Sequence, residues 1–209
     1  MGIHRYNLLE GTNWKFSKLK SFNTRMNCGA APYYITLAAY LQSSDLRQNV
    51  QVSEKDLGVL DLTCSIARPR VTNSCSSTTD EKVPFQVSTR LPHWPSSFND
   101  PNRFCLVDLS HVSYYDWINL YLELAYCAYD RGITDCHLSK FNLKIVQVAV
   151  ESPDGFQPPL IDSKTAVVYI VYKDLNKACD CKAIFRRLYD EATGRFSLKG
   201  KYWCEGKSF

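Results

Sequence analysis

Thiols are the groups in this chain with the most chemistry to offer. Nine cysteines occur in 209 residues, an odd count. The tightest pair is Cys179-Asp180-Cys181, and Cys136-His137 and Cys204 could join it as soft metal ligands. Structural zinc sites usually draw on two C-x₂₋₄-C pairs, and one pair with a single-residue gap fits that spacing poorly. The spacing therefore predicts ordinary thiols at a strand entrance, with metal binding as the second reading.

Nucleophilic catalysis would need a thiolate beside an imidazole. The four histidines are His4, His93, His111 and His137. Cys136 and His137 are chain neighbours, so their side chains diverge on any regular element. Cys105 and His111 are separated by a strand-like stretch. Asp190-Glu191 lies beside a turn, which explains paired carboxylates without acid–base work. Tyr33-Tyr34 and Tyr114-Tyr115 could stack bases, but no basic residues interleave with them, and a sheet face suits them better. No phosphate-binding glycine loop, G-x-S-x-G elbow or H-E-x-x-H helix is present. The expectation is a non-enzymatic protein with no catalytic, cofactor-binding or metal-binding residues and no cofactor.

Composition narrows the setting. The charged fraction is 22% and the net charge +4, weaker than the clustered basic footprint of a nucleic-acid binder. No apolar run is long enough to span a bilayer and no glycosylation sequon is present, and the residues after Met1 carry no apolar leader segment, so a protein that is not secreted is expected. Reduced thiols, and a cytoplasmic or nuclear location, follow as expectations. The partner expected is an unidentified protein, with no nucleic acid and no membrane.

The elements that must position these groups are legible in part. Residues 1–10 read as the end of a helix, with Gly11 in the left-handed closing position. Between Trp14 and Met26 the apolar spacing drifts from two to three and four, so pattern alone does not separate strand from helix. Alternating runs at 33–40, 46–52 and 59–66 predict an antiparallel meander. Residues 68–103 are polar and proline-rich, a linker or long loop that Phe85, Trp94 and Phe98 could anchor. Asp116 is a good N-cap for a helix whose apolar stripe is Trp117, Leu120, Tyr121, Leu124, Ala125 and Ala128. Strands follow at 143–150, 166–172 and 182–190. Ala192-Thr193-Gly194 then turns the chain into a closing hairpin strand at 195–202. Each half reads as a helix followed by strands, which suggests a duplication.

Four segments carry a family resemblance: 5–13 (RYNLLEGTN), 60–69 (LDLTCSIARP), 116–124 (DWINLYLEL) and 193–200 (TGRFSLKG). With Tyr33-Tyr34-Ile35-Thr36-Leu37-Ala38-Ala39, they resemble a plant-specific family of cystatin/monellin-like proteins. Members of that family are named for embryo-defective and male-sterile phenotypes. The resemblance implies an α+β, cystatin-like fold, a helix packed on a curved antiparallel sheet, in one copy or two. On that basis the chain divides into a cystatin-like half at 1–70 with a shortened N-terminal helix, a linker at 71–103, and a second half at 104–209 with its helix at about 116–131. Inhibitory cystatins carry Q-x-V-x-G before the Y-Y-x-T strand. Here the stretch is Arg25-Met26-Asn27-Cys28-Gly29, and only Gly29 agrees. Protease inhibition is thus a secondary expectation. The leading one is an interaction scaffold with a role in plant embryo or reproductive development, its surface on the 68–103 loop.

Overall fold

The structure is a computed structural model that describes residues 1–24, 32–41, 44–54, 59–69, 90–110, 116–130, 132–133, 140–152 and 160–204. The chain opens with helix α1 (Gly2–Glu10). Strands β1 (Lys15–Thr24), β2 (Pro32–Leu41), β3 (Ser44–Glu54) and β4 (Leu60–Pro69) follow. After a short β5 (Phe104–Leu106) comes α2 (Asp116–Tyr129). The chain ends with β6 (Leu143–Glu151), β7 (Ala166–Asp174), β8 (Cys179–Asp190) and β9 (Arg195–Cys204).

The nine strands among the described residues form one antiparallel sheet, ordered β1-β2-β3-β4-β9-β8-β7-β6-β5. The α+β expectation, a helix-on-sheet cystatin-like unit present once or twice, is corrected by this topology. Among the described residues, two short helices, of nine and fourteen residues, accompany the sheet. The repeated order of elements suggested a duplication; the last strand of the first group, β4, pairs directly with the last of the second, β9. An alternating strand fixes which face each side chain takes and says nothing about which strand lies alongside.

The β4–β9 seam shows why that pairing forms. Leu60, Leu62 and Cys64 lie opposite Gly200, Leu198 and Phe196 on the core face. On the other face Thr63 pairs with Ser197, their hydroxyls 3.2 Å apart, and Asp61 faces Lys199 at 3.3 Å. Apolar pairs on one face and a hydroxyl pair and an ion pair on the other each stabilise cross-strand register.

Helix α1 ends as its sequence predicts. Gly11 adopts φ 63° and its N–H donates to the Asn7 carbonyl. The Asn7 side chain then organises the exit: its Oδ1 accepts from the Thr12 hydroxyl and the Trp14 N–H, and its Nδ2 donates to the Trp14 carbonyl. From α1, Arg5 donates to the carbonyls of Ala67 and Gly194, tying the helix to β4 and to the β8–β9 turn.

Strand β1 resolves the ambiguous spacing. Its register with β2 shifts between Phe16 and Lys18 and again between Leu19 and Ser21. Each bulge inserts one extra residue, so a period of two becomes a period of three. Phe16, Leu19 and Phe22 consequently lie opposite Ala39, Leu37 and Ile35, all on one face.

Both faces of the sheet are covered where β7 and β8 run. Val148, Val150, Val168, Ile170, Tyr172, Ala183 and Phe185 share a core with Ile118, Tyr121, Leu122, Ala125 and Tyr126 of α2. On the other side Ala149, Val167, Tyr169 and Ile184 are covered by Leu91, Trp94 and Phe98. Burial on both faces explains the nearly unbroken apolar run of β7. The core stripe of α2 is rotated from its expectation: Ile118, Leu122 and Tyr126 are buried, whereas Leu120 and Leu124 are only partly so. Among the described residues no helix is long and apolar enough to cross a membrane.

Candidate functional site: a three-thiol cluster and an open sheet edge

Cys179 and Cys181 are two residues apart on β8, so both thiols project from the same face. Cys204 lies directly opposite Cys181 on β9. The Cys179 and Cys181 sulfurs are 3.5 Å apart, those of Cys181 and Cys204 are 2.6 Å apart, and all three lie within 4.8 Å. Cys181 and Cys204 are buried and Cys179 is half-buried.

Aromatic residues wall the cluster. Tyr172 is the partner of Cys181 on β7, and Tyr202 precedes Cys204 by two residues on the same face of β9. The Tyr126 ring stacks on Tyr202 at 4.4 Å, and its hydroxyl lies 3.2 Å from that of Tyr172. Burial, then hydrogen bonding to Cys204 and Cys179, pushes the Cys181 thiol well up. Burial also raises the Cys204 thiol, while Cys181 and the Lys177 ammonium pull the other way. The Tyr202 phenol is pushed up to about 12, chiefly by burial. Burial thus favours the thiol over the thiolate at Cys181 and Cys204. A bound cation would change that, because coordinated thiols are deprotonated outright.

The remaining sequence candidates fall elsewhere. Cys136, His137, His111, Tyr114, Tyr115 and Phe85 lie outside the described residues, as does the 25–29 stretch compared with the inhibitory hairpin. Cys105 is on β5, with its sulfur 4.0 Å from the Leu106 carbonyl. His93 is exposed in the stretch before β5. Asp190 accepts from the Ala192 N–H and the Thr193 hydroxyl, which is the turn chemistry expected of it. Tyr33 and Tyr34 are half-buried on β2. Of the 68–103 stretch, residues 68–69, at the end of β4, and 90–103 are described, and Trp94 and Phe98 hold the latter to the sheet. Trp94 meets Phe98, Tyr169 and Trp203 edge-on at 5.4–5.6 Å.

Two features escaped the sequence reading. One is a buried polar group in which Arg187 on β8 stands 4.9 Å over the Trp117 ring and donates to the Ile161 carbonyl. Its signal was present, since Arg187 continues the parity of Ala183 and Phe185 into the core. The other is the face of β1 at the sheet edge, where Phe16, Leu19 and Phe22 are 58%, 51% and 59% exposed. Their neighbours on the same face, Leu37 and Ala39, are buried. Lys15, Lys18 and Lys20 lie on the same strand, and Lys15 forms an exposed ion pair with Asp116 at 3.2 Å. The bulges disguised this face in the sequence.

Comparison with known proteins adds the following. Residues 91–198 match the family model described as Protein MS5. The chain is 47% identical over 221 residues to UPF0725 protein EMB2204 of Arabidopsis thaliana, covering 100% of this chain and 66% of that protein. It is 42% identical to UPF0725 protein At1g02770 of the same plant, covering 99% of this chain and 67% of that one. The chain thus spans about two thirds of the length of these relatives. Among solved structures, that of MS5 from Brassica napus matches with a TM-score of 0.71 and 31% identity, covering 97% of this chain and 94% of that chain.

Proposed function

Because this chain belongs to the MS5 family of plant proteins, we propose that it is a non-enzymatic interaction scaffold acting in plant embryo or reproductive development. A relative named for an embryo-defective phenotype, EMB2204, supports the developmental setting. Its place of action is the cytoplasm or nucleus.

The observation that carries the scaffold reading is β1. An edge strand offers unpaired backbone donors and acceptors, and natural proteins normally blunt such edges. Here the bulges and lysines limit indiscriminate pairing, yet three large apolar side chains remain open on one face. The occupant that fits is an extended partner segment alternating apolar and acidic residues. It would add as a tenth strand, its apolar side covering Phe16, Leu19 and Phe22 and its carboxylates meeting the lysines.

Fluorescence anisotropy with a labelled peptide of alternating acidic and apolar residues tests the proposal. The expected result is saturable binding that weakens by about tenfold or more in F16S/L19S/F22S, a loss equivalent to roughly 1.4 kcal/mol. Equal binding of a scrambled peptide of the same composition, or unchanged affinity in the triple variant, would reject it.

A further inference from the structure

The geometry points to a binding site for a thiophilic d¹⁰ cation of the zinc class at Cys179, Cys181 and Cys204, a site independent of β1. Two features of the sheet build it. The i, i+2 relation on β8 puts two thiols on one face, and the β8–β9 register sets the third opposite Cys181. Three thiolates at a Zn–S distance of about 2.3 Å lie roughly 3.8 Å from one another in tetrahedral geometry. The sulfur separations here run from 2.6 Å to at most 4.8 Å and bracket that value. Cys181 and Cys204 are the pair that must part, by about 1 Å, and coordination replaces their close contact with two metal–sulfur bonds.

The surroundings suit a soft cation. Soft thiolate ligands select zinc and monovalent copper over magnesium or calcium. Binding exchanges three S–H protons for one dication and leaves a net charge of −1 at the site. Lys177 lies nearby, its ammonium 5.4 Å over the Tyr126 ring and 3.4 Å from the Asp174 carboxylate. Tyr126, Tyr172 and Tyr202 close the buried side. Cys179 is half-buried, so the ion enters from that side and a water or added ligand takes the fourth position.

The test uses the full chain, purified with a phosphine reductant, loaded with zinc and desalted. The wild type is expected to retain about one zinc per chain by elemental mass spectrometry. The C179S variant replaces a half-buried side chain, so its fold is retained, as circular dichroism can verify, and it should lose most of the zinc. C105S, on β5 at the far edge of the sheet, should keep it. Cobalt loading adds a readout independent of affinity, a thiolate-to-cobalt charge-transfer band that weakens in C179S. Zinc below about a tenth of an equivalent in natively folded wild type would overturn the site. So would equal zinc loss in C105S and C179S. A chain lighter by two hydrogens after mild peroxide treatment, with no zinc uptake when reduced, would replace the cation site with a Cys181–Cys204 disulfide.

Discussion

The His4 Nε2 on α1 and the Tyr121 hydroxyl on α2 share a hydrogen bond of 2.8 Å across a sequence separation of 117. It is buried, and it joins the helix that begins the chain to the helix that precedes the second group of strands. The imidazole also meets Phe196 of β9 edge-on at 5.6 Å and stacks on Trp117 at 6.1 Å. Burial first, and the nearby Arg187 charge second, hold the His4 pKa well below 6.5.

That relationship makes stability depend on pH. Below the unfolded value of about 6.5, the unfolded chain takes up a proton that the folded chain refuses, so acid favours unfolding. The His4 contribution is constant above about pH 6.5 and is lost as pH falls further, approaching about 1.4 kcal/mol per pH unit. In H4Q, which cannot titrate, denaturant melts between pH 7.5 and 5.5 should show a flatter slope. Parallel slopes for wild type and H4Q would remove this account.

Gly200 sits where the seam is tightest. A Cβ there would lie 2.3 Å from Cδ1 of Phe185 and 3.1 Å from Cδ2 of Leu60. Both side chains are fully buried, and the ring contact is too short to relieve without displacing the core. G200A should therefore destabilise by about 1–3 kcal/mol through overpacking. Calorimetry should show a Tm lower by about 2–12 °C, given roughly 2–4 °C per kcal/mol at this chain length.

Deleting Ser17 removes the extra residue of the first bulge and keeps Phe16 and Leu19 on the same face. The result is a straighter, still apolar edge, the feature that invites edge-to-edge pairing. The deletion variant should remain folded by circular dichroism and should self-associate more than wild type in light scattering at matched concentration.

Trp94 fastens the stretch before β5 to the sheet through Phe98, Tyr169 and Trp203. Trp94→Ala should cost about 2–3 kcal/mol, less than for a fully buried tryptophan because Trp94 is half-buried. Limited proteolysis should then cut within 90–103. His93→Ala, at an exposed neighbouring position, should stay within about 0.5 kcal/mol of wild type.

Local signals were legible. Gly11 announces the end of α1, and Ala192-Thr193-Gly194 announces the β8–β9 hairpin, because capping and turn chemistry act over a few residues. The spacing of Phe16, Leu19 and Phe22 was not legible, since a bulged strand and a helix share a three-residue period. The α2 stripe was placed correctly at Trp117, Tyr121, Ala125 and Ala128 but turned too far toward Leu120 and Leu124, because periodicity marks an apolar arc without saying which part of it meets the strands.

The sequence by itself determined the strand positions of the second group, the closing end of α1 and the hairpin turn, and it named Cys179, Cys181 and Cys204 among its soft ligands. Tertiary structure alone decided that the two groups of strands form one sheet, that Cys204 faces Cys181, and that Arg187 and His4 lie buried beside Tyr121 and Trp117. A period of two tells each residue which face to take. Choice of neighbour and register depends on pairs far apart in the chain, such as Leu60 with Gly200, and becomes visible only when both strands are in place.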